Sequence, residues 1–304
     1  RPPQLVYQRR FGDCKDMALL QVKMLEYAGV KGHVGWVGTR SKPYKYDELP
    51  SPGCDNHMIA VYERSDNDWI FLDATGTYTP FGYPSEFIQG KEVMVHNNDS
   101  SYSIITVPIV STKNNFTRDS VYLYLENDVL KGNGRVVYRG FPYSDLKYRI
   151  TDTDSLTRSK ILRSHLEKGS NKFFFILNEY NFSNVNEGYI DYEFEVKDYL
   201  KDNDDEIYVN LNLEKVLSES RIDEERIYAI DADHTLHLEN EFVLDLKGKY
   251  DVSYLPENGS FKNERFNYSL TYKQNNGLIS YKLVINLNYL RLNPDEFLEW
   301  NKMV

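Results

Sequence analysis

Ten short segments alternate apolar and polar residues between SIITVPIV, starting at residue 103, and ISYKLVINLNYL, starting at residue 279. Asn, Asp, Gly and Ser separate them, which makes most of the chain a series of half-buried strands joined by polar turns. The 25 tyrosines set against 11 prolines fit the same picture, since aromatic residues suit pleated surfaces and proline interrupts them. An antiparallel β-sandwich over residues 105–304 is therefore expected. One helix is expected within it, over about 155–168 and closed by Gly169. Another begins at the end, with Asn293 as cap and Pro294 at the first position.

The first hundred residues read differently. FGDCKDMALLQVKMLEYA, residues 11–28, spaces Met17, Leu20, Met24 and Ala28 as a buried helical stripe, with Ala18, Val22 and Leu25 beside it. Gly12 and Asp13 supply the turn and the capping oxygen. Cys14 then stands over unpaired backbone N–H groups at the positive end of the helix, a setting that favours a thiolate. HVGWVGTR (33–40) reads as a strand, and a polar loop with three prolines follows over 41–56. HMIAVYE (57–63) and WIFLD (69–73) form a hairpin that places His57 and Asp73 on one face, opposite or one register step apart. The polar run HNNDSS (96–101) is read as the boundary between domains 1–98 and 105–304.

Composition excludes some functions. A net charge of −10 and a pI near 5.2 argue against a nucleic-acid surface, and no run reaches the length of a membrane span. Two cysteines make no disulfide framework in 304 residues. Cys54 and His57 have a Cys-x-x-His spacing that would suit zinc with Cys14, but no fourth ligand is suitably spaced, so neither metal nor cofactor is expected. Cys54 pairing with Cys14 under oxidising conditions is the other reading. His33, His96, His165, His234 and His237 have no motif around them. KDNDDE (201–206) lacks the glycine and terminal Glu of a calcium loop and reads as a solvated turn.

Helix cysteine, strand histidine and strand aspartate, in that order, form a candidate thiol site. Cys14 attacks an amide carbonyl, His57 moves the proton and Asp73 orients the imidazole. The backbone N–H of Cys14 is a first oxyanion donor, and a second is not identified. GDCKDMALLQVKMLEYAGV, GWVGTR, DNHMIAVY, FLDATGTY and IQGKEVMV together resemble the core of the transglutaminase-like superfamily, in its bacterial multidomain branch. The resemblance implies an α+β, papain-like core followed by a β-sandwich, with Cys14, His57 and Asp73 as the triad. It also implies an N-terminal β-rich domain absent from this sequence, a peptide or protein substrate, and a periplasmic or secreted setting. Acyl transfer through a thioester follows, to water in a peptidase or amidase, or to an amine in a transglutaminase. The alternative is a non-catalytic module that binds a polypeptide or glycan.

Overall fold

Asp13 begins the helix that matters most. Its side chain accepts the backbone N–H of Asp16 at 3.0 Å, and Asp16 returns the contact to the Asp13 N–H at 3.2 Å, a reciprocal cap. Helix α2 (Cys14–Tyr27) follows, preceded by α1 (Pro3–Arg9). The computed structural model describes residues 1–65, 68–203 and 205–304. The centre of the expected turn at 65–67 and part of the acidic run at 201–206 lie outside the described residues. Two units result, Arg1–Val110 and Ser111–Val304.

In the first unit α2 packs on an antiparallel sheet of β1 (Gly32–Val37), β2 (His57–Ser65), β3 (Asp68–Leu72), β4 (Glu92–Asn98) and β5 (Ser101–Thr106), in the order β3-β2-β1-β4-β5. The polar run 96–101 forms the turn between β4 and β5. The buried stripe of α2 is rotated from the expected one. Ala18 and Val22 are buried, while Met24 is 58% exposed and Ala28 is also exposed. The cause is Gly32, where a Cβ would fall 2.8 Å from Leu25 Cδ1. The bare backbone there lets the Val22 and Leu25 side of the helix seat closely on β1. On the other face of the sheet Val37, Ile59, Val61, Phe71, Val93 and Val95 form a core closed by Ile88 and Val107.

The second unit departs from the expected sandwich. Its strands are β6 (Phe116–Glu126), β7 (Val129–Arg139), β8 (Phe173–Asn181), β9 (Glu187–Val196), β10 (Lys201–Asn203), β11 (Glu206–Tyr208), β12 (Ile230–Asp231), β13 (Leu236–Asp245), β14 (Gly259–Lys262), β15 (Phe266–Asn275), β16 (Leu278–Leu287) and β17 (Arg291–Leu292). Eight of them make one sheet, β14-β15-β16-β13-β6-β7-β9-β8, and the β6–β13 pair at its centre is parallel. Helices α3 (Phe141–Ile150) and α4 (Ser155–Leu166), with Leu211 and Leu213, pack on its apolar face. The outer face carries ion pairs such as Arg135–Asp191 at 2.5 Å. Alternation does not distinguish a sheet covered by helices from two stacked sheets, because either arrangement buries one face. A short α5 (Phe297–Met303) follows a 3-10 turn capped by Asn293 and Glu296. No helix among the described residues is long and apolar enough to cross a membrane.

Candidate active site

The β2–β3 register places Ala60 opposite Leu72, so Asp73 falls level with Ile59, one same-face step from His57. His57 Nε2 lies 2.8 Å from Asp73 Oδ2, with side-chain exposures of 9% and 3%. Ser85 Oγ donates to the same oxygen at 2.7 Å. The Thr75 N–H and hydroxyl donate to Oδ1 at 3.0 and 2.7 Å. Burial pushes the Asp73 carboxyl up, but the hydrogen bonds from His57, Thr75 and Ser85 and the charge of His57 outweigh it, holding the group below the ordinary carboxylate range. An ionised Asp73 only accepts, so the imidazole proton belongs on Nε2 and Nδ1 keeps its lone pair.

One ring contact and two backbone supports surround the histidine. Phe87 meets it edge to face, with centroids 5.3 Å apart. Asn56 ties the start of β2 to the end of β1. Its amide donates to Thr39 Oγ1 at 3.1 Å while its carbonyl accepts the Thr39 N–H at 2.9 Å. Gly38, just beyond β1, passes so near the chain that a Cβ would sit 2.3 Å from the Cys54 carbonyl oxygen. No sequence pattern marks Ser85, Phe87 or Asn56 as site residues. Thr75 carried a signal, since Asp-x-Thr is an Asx-turn pattern.

Cys14 is the first residue of α2, half-buried and with a free thiol. Neither its sulfur nor His57 Nδ1 makes a hydrogen bond among the described residues. His57 shares a sheet face with Val37 and Ile59, whereas α2 covers the face of Gly32. The imidazole and the cysteine helix thus belong to opposite faces of the sheet. Cys54 is separate from this chemistry. It is buried, and its thiol donates to the Leu49 carbonyl at 2.6 Å, which makes it a plug in the 41–56 loop rather than a metal ligand or a disulfide partner. That loop also walls a groove of about 560 Å³ lined by Trp36, Tyr46, Asp47, Asp55, Met94 and Tyr102. Burial, together with the Asp55 carboxylate, pushes the Tyr46 phenol up.

Residues 205–304 match a family described as a domain of unknown function with a solved structure, DUF3858, which covers the last third of the chain. No curated protein matches. Among solved structures the chain resembles a "putative protease" from Parabacteroides distasonis ATCC 8503, at 12% identity and a TM-score of 0.49. The alignment covers 99% of this chain and 44% of that one, so the chain spans less than half of the protein it resembles.

Proposed function

We propose that the first unit is a thiol-dependent acyl-transfer domain of the transglutaminase-like kind, acting on a peptide or protein amide. Cys14 is the nucleophile, His57 the base and Asp73 the group that orients it. The single observation that carries the reading is the His57–Asp73 pair, buried, supported by Ser85 and Thr75, and leaving Nδ1 as a free acceptor. The dimensions of the elements agree with it. Cys14 lies eleven residues before Leu25, about 16 Å along a helix. Leu25 packs at Gly32, and five residues on, about 17 Å along the strand, Val37 pairs with His57. A helix running back along β1 thus brings its first residue level with the first residue of β2.

In the reaction Nδ1 takes the thiol proton as sulfur attacks the carbonyl, and the imidazolium, held by Asp73, then delivers the proton to the leaving amine. The thioester on Cys14 is resolved by water in the hydrolytic form, which we favour because no amine-binding feature stands out. Iodoacetamide at pH 6, with mass-spectrometric localisation, tests the thiol, and Cys54 serves as the buried internal control. Cys14 should label faster than Cys54, and His57→Ala should slow it. Peptide-library profiling of wild type against Cys14→Ala should show cleavage lost in the variant. A Cys14 indifferent to His57, or cleavage retained in Cys14→Ala, would favour a non-catalytic module that binds polypeptide or glycan.

A further inference from the structure

The apolar face of the eight-stranded sheet holds a charged cluster that does not belong among hydrocarbons. Lys168, in the loop after α4, has a fully buried side chain. Its Nζ lies 2.7 Å from Asp119 Oδ2 and 2.9 Å from Glu214 Oε1, with the Leu166 carbonyl at 3.4 Å. The Tyr192 hydroxyl donates to both Asp119 oxygens, at 2.9 and 2.8 Å. Asn240, opposite Asp119 in the β6–β13 register, donates to Glu214 Oε2 at 2.7 Å. The rings of Tyr192 and Phe242 flank the ammonium, with centroids 5.2 and 5.9 Å from Nζ. The Gly169 N–H bonds to the Leu213 carbonyl at 2.8 Å, which holds the lysine loop against the Glu214 segment.

One ammonium and two carboxylates leave a net negative charge in a site where Lys168 and Asp119 are buried and Glu214 is mostly so, an arrangement with a large desolvation cost. Burial pushes Asp119 up, and the nearby Glu214 charge adds to this against the pull of Lys168. A carboxylate, an amine in contact with it and a second carboxylate touching that amine are the components of amide formation.

From this geometry we propose that Lys168 and Asp119 condense within the folded unit into an intramolecular isopeptide bond, with Glu214 carrying the proton. The Nζ ammonium gives a proton to Glu214, and the freed lone pair attacks Asp119 Cγ. The Tyr192 O–H steadies the oxygen of the tetrahedral centre. The C–O bond then breaks, and the oxygen leaves as water, taking back the proton held by Glu214 and a second proton from the tetrahedral nitrogen, which becomes the amide N–H. Ammonium plus carboxylate become one amide and one water, with no change in charge and no redox partner. The bond joins β6 to the segment after α4, so β7, α3 and α4 lie inside a closed covalent loop. It also removes both members of the buried ion pair.

Intact-mass measurement of the native full chain tests this directly. The expected mass is one water below that of the sequence, and digestion should yield a branched peptide joining the segments around Asp119 and Lys168. Lys168→Arg keeps the charge but lacks the attacking amine, and should show the full mass. Glu214→Gln, verified as folded by circular dichroism, should also show the full mass. A wild-type chain at full mass after prolonged incubation, with separate linear peptides for the two segments, overturns the proposal even if neither variant folds. A mass deficit confined to linear peptides overturns it as well. A folded Glu214→Gln that retains the cross-link overturns the role given to Glu214.

Discussion

Asp73→Asn exchanges one oxygen for an amide nitrogen, and the structure dictates how the new side chain must sit. Four donors converge on the native carboxylate: the Thr75 N–H and hydroxyl on Oδ1, and His57 Nε2 and the Ser85 hydroxyl on Oδ2. A backbone N–H cannot become an acceptor, so the asparagine oxygen must face Thr75 and its NH2 must face His57 and Ser85. Both of those partners can switch roles, Ser85 by rotating its hydroxyl and His57 by moving its proton to Nδ1. The fold therefore loses the charge-assisted part of the bonding and little else, a cost of about 2 kcal/mol. Asp73→Ala leaves all four donors without an acceptor and should cost about 4 kcal/mol.

Chemistry should suffer far more than stability. With the proton on Nδ1 the ring cannot accept one from Cys14, and a loss on the order of 10³- to 10⁴-fold is expected for a wrong-tautomer imidazole. Urea unfolding and peptide cleavage measure the two effects, and the rate of Cys14 alkylation reports the lost thiolate. The pH dependence has a definite sign. The folded state holds Asp73 below its unfolded value near 4, so between the two values the unfolded chain binds more protons. The stability advantage of wild type over Asp73→Asn is thus fully present above about pH 5 and fades as pH falls through the folded value. Wild-type alkylation in Asp73→Asn, or equal destabilisation by Asn and Ala, would refute the role-switching account.

Gly38→Ala should destabilise the first unit by about 1–3 kcal/mol, because the new methyl meets the Cys54 carbonyl and either β1 or the 41–56 loop must shift; thermal melting reads this. Phe242→Ala, at a site with no exposure, should cost the second unit about 3–5 kcal/mol in urea and leave Cys14 alkylation unchanged.

What could be read from the sequence followed local rules. Asp13 as a cap, Asn293 before Pro294 and the alternation around His57 and Asp73 depend on neighbours a few positions away, and those features stand where expected. What could not be read depends on distant partners. The helical stripe is rotated because of Gly32, which lies beyond the helix itself. Helix α3 opens with Phe141, Pro142 and Tyr143, and its short run gives no helical signal in the sequence. Its Tyr143, Leu146 and Ile150 are buried by the sheet rather than by one another. Ser85 serves the site through one hydrogen bond and Asn56 supports it through a pair to Thr39, both from loops, where no periodicity marks them. The charged cluster at Lys168 is made by residues far apart in the chain.

The parallel pair at the centre of the large sheet sets a timetable for making the protein. Strand β6 meets β13 through residues 121 positions apart, as in Arg118 and Glu239. At ribosomal speeds of 5–20 residues per second that interval is roughly 6–24 s. For that time the nascent β6 has β7 on one side and an open row of backbone donors and acceptors on the other. Slowing translation after β6 would prolong this exposure, whereas any factor that shields a lone strand edge would raise the yield of folded chains.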